Sequence, residues 1–225
     1  MISCLVFDID DTLYPERDYV RSGFAASAQI LSPEIRRRVA DACWREFNNG
    51  LRRNIFDRVL RRFSLYDKDL VGRLVAAYRE HMPLITLDAS VLPTLSLAKE
   101  AGCFLGIITD GRSVSQRAKI KALGIESVVD AIICTDDLGR EFWKPHPRAY
   151  ELMGQMAQSI PSQCAYIGDN LCKDFIAPNA LGWSTVMLRR EGAVHSVSEV
   201  PVGGEPHWTV ATLSDVLSVL DIRPR

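Results

Sequence analysis

The chain has 225 residues, 47% of them hydrophobic and 24% charged, and its 27 basic and 28 acidic side chains give a formal net charge of −1. This composition excludes an intrinsically disordered chain, which combines low hydrophobicity with a large net charge. Neither nucleic acid nor a membrane is an expected partner, because the charges balance and no run approaches the ~20 apolar residues of a membrane span.

Short apolar runs recur along the chain, and each is followed by a stretch with helical spacing of its apolar residues. Such runs are typical of strands buried in a parallel sheet, and strand–helix alternation is typical of doubly wound folds. The predicted fold is therefore α/β, a Rossmann-like doubly wound parallel sheet. The predicted strands are residues 2–9, 103–109, 131–135, 164–169, 184–188 and, at an edge, 207–211. The predicted helices between them are residues 90–102, 113–124, 147–159, 172–182 and 214–220.

Two of these helices carry signals for where they begin and end. Ser113 is expected to cap the N-terminus of helix 113–124, and Gly124 is expected to cap its C-terminus. Pro178 is expected to bend or shorten helix 172–182, because proline lacks the amide that continues a helix.

The segment 15–88 interrupts the alternation directly after the first strand. It has no strand-like run, and a turn is predicted at 48–50. Its four predicted helices lie near residues 18–30, 33–48, 54–64 and 67–80. We expect a core domain of residues 1–14 and 89–225 and an inserted all-helical domain of residues 15–88. The insert has more basic than acidic residues, which is typical both of a lid over an anionic ligand and of a solvated helical face.

Two acidic residues, Asp8 and Asp10, end the first predicted strand, at the edge where parallel sheets bind their ligands. The strand period of two places both side chains on one face. Because two carboxylates repel each other, their joint burial requires a cation, a shared proton or a role in a reaction. An Asp-x-Asp pair alone is also common in ordinary loops.

The next two predicted strands are followed by residues suited to an anion. Thr109, Asp110 and Gly111 lead into a helix, where a hydroxyl and backbone amides can bind phosphate. After the third strand, Lys144 is held by Pro145 and can neutralise phosphate or carboxylate charge. Each feature by itself is equally typical of a helix cap, a turn or a surface lysine.

The fourth predicted strand ends in Gly168 and Asp169, with Asp174 five residues later. Asp8, Asp10 and Asp169 then supply an oxygen-rich site for a hard cation, which Mg²⁺ suits best. An N-cap with a surface aspartate is the alternative explanation of this motif. The order of the four features and their placement at strand ends carry more weight than any one of them.

In this order, the four features resemble the motifs of the haloacid dehalogenase-like hydrolase superfamily. The matching residues are Asp8-x-Asp10-x-Thr12, Thr109, Lys144 and Gly168-Asp169-x-x-x-x-Asp174. The resemblance covers nearly the whole chain, and the insert lies where that family has its helical type 1 cap. Among the phosphatases of that family, the first motif is similar to those of phosphoglycolate-phosphatase-like and nucleotide 5'-phosphatase-like members.

The resemblance implies a covalent mechanism in which Asp8 is the nucleophile and forms an aspartyl phosphate. Asp10 would protonate the leaving oxygen and then take a proton from water, while its backbone carbonyl binds the metal. Thr109 and the amides of Asp110 and Gly111 would hold the phosphoryl oxygens.

The resemblance also implies a Mg²⁺ cofactor and the residues around it. Asp8 and Asp169 would bind the ion directly, and Asp174 would orient a metal-bound water. Lys144 would stabilise Asp8 and the charge of the phosphate. Asp110 departs from the family pattern, since relatives commonly carry asparagine there.

The second aspartate of the first motif separates two chemistries within the superfamily. Its dehalogenases lack this residue, because a halide leaves without a proton whereas an alkoxide needs one. Asp10 therefore favours a Mg²⁺-dependent phosphatase of small phosphorylated metabolites, with a sugar phosphate, a nucleoside monophosphate and phosphoglycolate all open as substrates. The alternatives are a phosphomutase that uses the same aspartyl phosphate and a non-catalytic metabolite-binding protein on the same fold.

Substrate choice is expected to depend on the helical insert. Arg52 and Arg53 follow the turn at 48–50 and offer planar donors to an anionic leaving group, although solvated arginines explain them equally well. The next candidates, at the junction of insert and core, are Tyr14, Arg17 and Arg21.

The six cysteines show no metal-binding spacing, and the N-terminus lacks the basic segment of a signal peptide. Free buried thiols are expected at Cys4, Cys103, Cys134 and Cys164, as in proteins of a reducing compartment. The sequence thus predicts a cytoplasmic location, and we expect a monomer or a homodimer.

Overall fold

The computed structural model describes residues 1–194 and 200–223, and its strands form a six-stranded parallel sheet. Its strands are β1 (Cys4–Phe7), β2 (Phe104–Thr109), β3 (Ala131–Cys134), β4 (Cys164–Gly168), β5 (Ser184–Leu188) and β6 (Trp208–Val210). The spatial order is β3-β2-β1-β4-β5-β6. The chain moves outward from β1 on one side and then crosses to β4 on the other, so the predicted doubly wound α/β fold is confirmed. Residues 195–199 and 224–225, part of the expected core domain, lie outside the described residues.

Nine α-helices occur in the described residues. They are α1 (Glu16–Ser27), α2 (Pro33–Asn48), α3 (Ile55–Arg62), α4 (Lys68–Glu80), α5 (Val91–Glu100), α6 (Ser113–Leu123), α7 (Arg148–Met156), α8 (Ile176–Leu181) and α9 (Leu213–Val219). The chain divides into two compact units, one made of Met1–Glu16 with Thr86–Arg225 and the other of Arg17–Ile85. We name them the core unit and the helical unit.

Two helix boundaries differ from those predicted for the core unit. Ser113 is the first residue of α6 rather than its cap, and the Asp136 carboxylate accepts a hydrogen bond from the Ser113 amide at 3.0 Å. Helix α8 has six residues and begins at Ile176, so that Pro178 lies in its first turn, where proline costs no hydrogen bond. Gly124 ends α6 in the left-handed conformation, as predicted.

The register of the sheet brings the strand ends together. Phe7 of β1 pairs with Ile107 of β2 and with Ile167 of β4, and the strands run parallel. The next residues along the three strands therefore leave the sheet at one edge. Every residue of β1 and β4 is buried, which explains why these strands read as continuous apolar runs.

The helical unit has its own apolar centre. Leu60 and Leu74 are fully buried there, together with Val39 and Cys43. An edge-to-face aromatic contact joins Phe24 to Phe56 at 5.7 Å between ring centroids. The unit is thus a packed body of helices without a strand among its described residues.

All six cysteines are free, and all except Cys172 are buried, so the four expected buried thiols are confirmed. No helix within residues 1–194 and 200–223 is long and apolar enough to cross a bilayer.

Candidate active site

A buried lysine lies at the centre of the strand-end cluster. The side chain of Lys144 is fully buried, and its Nζ lies 3.0 Å from Asp8 Oδ1 and 2.8 Å from Asp174 Oδ1. It also donates a hydrogen bond of 2.9 Å to the Tyr166 hydroxyl. Burial alone would lower the pKa of Lys144, but the two carboxylates outweigh it and raise that pKa well above its usual value. The two carboxylates therefore favour the ammonium form of Lys144 beside Asp8.

Asp174 fixes both Lys144 and the loop after β4. Its Oδ2 accepts hydrogen bonds from the backbone amides of Asp169 at 3.2 Å and of Asn170 at 2.9 Å. Burial opposes a charge here, yet Lys144 outweighs it and lowers the pKa of Asp174. A Cβ at Gly168 would lie 2.5 Å from Asp174 Oδ2, so only glycine leaves room for this carboxylate. Both oxygens of Asp174 are already bound by protein donors.

Three buried carboxylates form a cluster at the strand ends. Ligand oxygens of Asp8, Asp169 and Asp174 all lie within 4.8 Å of one another. Burial raises the pKa of Asp8 to about 6, and burial together with Asp174 raises the pKa of Asp169 to about 9. Among the described residues, the buried Asp169 Oδ2 has no hydrogen-bond partner. Hard oxygen donors, raised carboxylate pKa values and an unpartnered oxygen all fit a divalent cation such as Mg²⁺.

Asp10 does not belong to this carboxylate cluster. Its carboxylate is bound by Lys119, whose Nζ lies 2.8 Å from Oδ1 and 2.7 Å from Oδ2. Gln116 Nε2 donates to Oδ2 at 3.2 Å, and the Tyr14 hydroxyl donates to Oδ1. Strand β1 ends at Phe7, so the strict alternation that predicted neighbouring carboxylates stops before Asp10. Burial would raise the pKa of Asp10, but Lys119 outweighs it and the net shift is downward.

Lys119 and Gln116 were not among the residues proposed from sequence. They share one face of α6 with Ile120 and Leu123 at the spacing of a buried helix side, and all four are buried. A lysine and a glutamine at positions of an apolar face need polar partners inside the protein. That pattern is the signal through which sequence reasoning could have found them.

The last residue of β2 and the turn that follows carry groups that can bind an anion. Thr109 Oγ1 is buried and lacks a hydrogen-bond partner within the described part of the chain. Gly111 follows with a φ of +126°, which glycine adopts without strain. A hydroxyl and a glycine-bearing turn at a helix start are suited to phosphoryl oxygens.

The Asp110 carboxylate is bound by groups from other parts of the protein. Its Oδ1 accepts hydrogen bonds from the Thr135 hydroxyl at 2.6 Å and from the Lys144 amide at 3.1 Å. Its Oδ2 lies 3.6 Å from Lys173 Nζ. Asp110 thus ties the loop that carries Lys144 to the end of β2, and Lys173 offsets its charge.

The turn after Asp10 is held by groups that sequence reasoning missed. Asp11 has a φ of +52°, and its carboxylate accepts hydrogen bonds from the amides of Glu16 at 2.8 Å and Val194 at 2.6 Å. Arg190 donates to the carbonyls of Asp11 and Thr12 at 3.2 Å each. Because Arg190 follows β5 by two residues, only the folded chain brings it to this turn.

Four of the five candidates for substrate contact lie in the helical unit, and three of them are engaged there. Arg52 donates to the Phe47 carbonyl at 2.6 Å and stacks over the Phe47 ring at 4.3 Å. Arg17 and Arg21 lie over the Trp44 ring at 5.5 and 5.7 Å. The fourth, Arg53, is exposed. Tyr14, the fifth, is fully buried in the core unit, with its hydroxyl on Asp10.

The family model and the similar proteins agree on one family. The sequence model described as haloacid dehalogenase-like hydrolase matches residues 2–182. The chain is 31% identical to a glyceraldehyde 3-phosphate phosphatase from Methanopyrus kandleri over 201 residues, which cover 84% of this chain and 85% of that protein. It is 29% identical to (S)-2-haloacid dehalogenase 4A from Burkholderia cepacia over 134 residues, which cover 59% of this chain and 55% of that protein. A HAD family hydrolase from Deinococcus radiodurans, solved with bound phosphate and sodium, has the same fold, with a TM-score of 0.69, 17% identity and coverage of 97% of this chain and 95% of that chain.

Proposed function

Because the chain belongs to the haloacid dehalogenase-like hydrolase family, we propose that it is a Mg²⁺-dependent phosphatase of small phosphorylated metabolites. The observation that carries this proposal is the pair of acids at the end of β1. Asp8 lies beside the buried ammonium of Lys144, and Asp10 lies two residues later in a separate set of donors. This arrangement supports Asp8 as the nucleophile and Asp10 as the proton carrier.

The first half of the reaction transfers the phosphoryl group to Asp8. A carboxylate oxygen of Asp8 attacks phosphorus, and the bond between phosphorus and the leaving oxygen breaks as Asp10, which enters this step protonated, gives its proton to that oxygen. Thr109 and the amides of Asp110 and Gly111 hold the phosphoryl oxygens.

The second half releases phosphate. Water attacks phosphorus, the bond to Asp8 breaks, and Asp10 takes the proton from the water. Lys144 stabilises the carboxylate of Asp8 before the attack and the charge of the phosphoryl group while that group is bound to Asp8.

The Mg²⁺ ion would be held by Asp8 and Asp169, with the Asp10 carbonyl as a further ligand. When bound, it supplies positive charge that neutralises the phosphoryl oxygens. Asp174, whose oxygens are bound by Lys144 and two amides, acts chiefly through those partners. Its proposed contact with a metal-bound water adds to that role.

Carbon–halogen cleavage is the competing chemistry, because two relatives are named dehalogenases. A halide leaves without a proton, so that reaction gives no task to a second acid. Here three side chains bind Asp10, which is more than an idle loop residue needs. Phosphate-ester hydrolysis uses this carboxylate twice and is therefore favoured.

The relative that acts on glyceraldehyde 3-phosphate supports a small sugar phosphate as the first substrate to test. Nucleoside monophosphates and phosphoglycolate are the other substrates to test. We propose that the helical unit is the cap that selects among them. A phosphomutase and a non-catalytic binder remain the alternatives, and the binder is disfavoured because each motif acid is present.

The test is a screen of these phosphorylated metabolites for phosphate release by the purified protein. We expect release with Mg²⁺, comparable release with Mn²⁺, and loss of activity in excess chelator or with Ca²⁺, whose larger coordination shell disturbs the in-line geometry. Asp169→Ala should weaken metal binding, measured by titration calorimetry, more than Asp174→Ala. Full activity in chelator would contradict the metal assignment, and phosphate retained on a product sugar would identify a mutase.

A leaving-group comparison tests Asp10. Asp10→Asn should slow first-turnover alcohol release from an alkyl phosphate by about 10²-fold or more, because a poor leaving oxygen needs the proton. An aryl phosphate with an acidic alcohol should lose much less in the same rapid-mixing measurement. Equal losses on both substrates would show that Asp10 does not donate the proton.

A pair of alanine variants tests substrate contact by the helical unit. Arg53→Ala or Arg52→Ala should raise KM for the best metabolite in the screen and leave KM for a small aryl phosphate unchanged, because the latter has nothing for a cap to hold. Arg53 is the stronger candidate, since Arg52 already binds Phe47. If neither KM changes, Arg17 and Arg21 are next, and exposed Arg73→Ala serves as the control.

Two further expectations belong to the proposal. The small phosphorylated metabolite is the expected partner, with a monomer or homodimer as the working state. The six free cysteines support a reducing compartment such as the cytoplasm.

A further inference from the structure

Helix α6 places a buried ammonium directly on the proposed proton carrier. The Lys119 side chain is 5% exposed, and its Nζ lies 2.8 and 2.7 Å from the two oxygens of Asp10. Gln116, one turn earlier on the same face, donates to Asp10 Oδ2 and also to the Asp110 carbonyl in the phosphate loop. One helix therefore connects the phosphate loop to the Asp10 carboxylate.

A contribution to stability does not by itself explain this arrangement. Moving an ammonium and a carboxylate out of water costs about as much free energy as their attraction returns, so a buried ion pair is weak evidence for stabilisation. Isoleucine and leucine fill the neighbouring positions Ile120 and Leu123 of the same face. The ion pair has a clear consequence for geometry instead, because two short contacts from one ammonium fix the plane of the carboxylate.

The contacts to Asp10 match its capacity to accept hydrogen bonds. A carboxylate has about four acceptor sites on its two oxygens. In the described residues, Oδ1 accepts from Tyr14 and Lys119, and Oδ2 accepts from Lys119 and Gln116. A proton from substrate or water can reach Asp10 only where one donor gives way. The Gln116 hydrogen bond, at 3.2 Å, has an uncharged donor and is longer than those of Lys119. Breaking it therefore costs the least free energy.

We infer that Lys119 is a positioning residue that holds the Asp10 carboxylate in place while Asp10 takes the proton from the attacking water. This inference rests on the proposed phosphatase function. In that step the bond between water oxygen and phosphorus forms, the bond between phosphorus and Asp8 breaks, and the water proton moves to Asp10 Oδ2 as Gln116 gives way. Lys119 keeps its two contacts throughout, and the Asp10 carboxylate therefore stays in position next to the phosphoryl group.

Pre-steady-state kinetics with an aryl phosphate test the inference. Its alcohol leaves without a proton, so phosphoryl transfer to Asp8 does not need a placed Asp10, whereas hydrolysis of the aspartyl phosphate does. Lys119→Met should give a burst of about one alcohol per active site, followed by a steady rate at least tenfold below wild type. The control is Lys121→Met, a change to an exposed lysine of the same helix that should leave both phases as in wild type.

A second measurement is independent of activity. In metal-free protein, Lys119→Met and Asp10→Asn should each lower the urea midpoint of unfolding, and the double variant should fall by clearly less than the sum of the two. An additive double variant would show that the pair is absent in solution and overturns the inference. The same curves show whether Lys119→Met is folded before its kinetics are interpreted.

The kinetic outcomes separate this inference from the proposed function. A folded Lys119→Met protein that keeps the wild-type rate, or that loses rate without a burst, overturns the positioning role and leaves the phosphatase assignment intact. A wild-type protein with no metal-dependent phosphate release from any substrate overturns both.

Discussion

Replacing Asp8 with asparagine is expected to abolish phosphate release, with kcat falling by on the order of 10⁴-fold or more, because the covalent route has no other nucleophile. Asparagine keeps the shape of the side chain but has no carboxylate oxygen to attack phosphorus. The fold should survive, since burial already disfavours the charge of Asp8 and raises its pKa to about 6. The change even relieves repulsion from Asp174 and Asp169.

The measurement is phosphate release at saturating metal, together with a thermal unfolding curve of the same preparation. Asp18→Asn, a change to an exposed aspartate of α1, is the matched control and should keep wild-type activity. If a pure Asp8→Asn sample retained a tenth of the wild-type rate, Asp8 could not be the nucleophile.

Lys144→Met is expected to lose both activity and stability. Removing the ammonium takes away the charge beside Asp8, and loss of one such electrostatic group typically costs about 10²–10³-fold in kcat. It also leaves the buried carboxylate of Asp174 without its cation, which costs about 3–5 kcal/mol in the free energy of unfolding. Methionine has a similar length, so the loss reflects charge rather than a cavity.

The pH dependence of that stability loss gives a further check. Lys144 lowers the pKa of Asp174 in the folded protein, so this pair stabilises the fold above the unfolded pKa of the carboxyl group, which has a reference value of 3.8. The stabilisation disappears as the pH falls through the lower folded-state pKa. Urea unfolding should therefore show a large difference between Lys144→Met and wild type at neutral pH and a smaller one in acid. A difference of the same size at both pH values would point to lost packing, and Lys121→Met supplies the baseline.

The sequence pattern predicted the strands and the residues at their carboxyl ends. The apolar runs predicted all six strands, and the rule that parallel strands carry ligands at their carboxyl ends led directly to Asp8, Thr109 and Asp169. These inferences succeed because burial on both faces leaves a strong local signal in each strand and because parallel strands all end at the same edge of the sheet. The bounds were less accurate, as in β1, which ends at Phe7 instead of residue 9.

The sequence did not predict contacts between residues that lie far apart along the chain. The Asp110 side chain binds Thr135 and the Lys144 amide, a role that depends on how two loops meet and that no local pattern encodes. The same holds for Lys119, which lies 109 residues from Asp10 along the chain. Its position on the buried face of α6 is visible in the spacing, but its partner is not.

The sequence by itself determined the fold class, the order of the four motifs and the residue types available for phosphoryl transfer, because those depend on hydrophobic period and on chemistry carried by single side chains. Only the tertiary structure decided how the charges are paired. It divides the acids into two groups, with Lys144 binding Asp8 and Asp174, and Lys119 binding Asp10. The physical reason is that a charge in the protein interior is set by its neighbours within a few ångströms, and those neighbours come from strands and helices far apart in the chain.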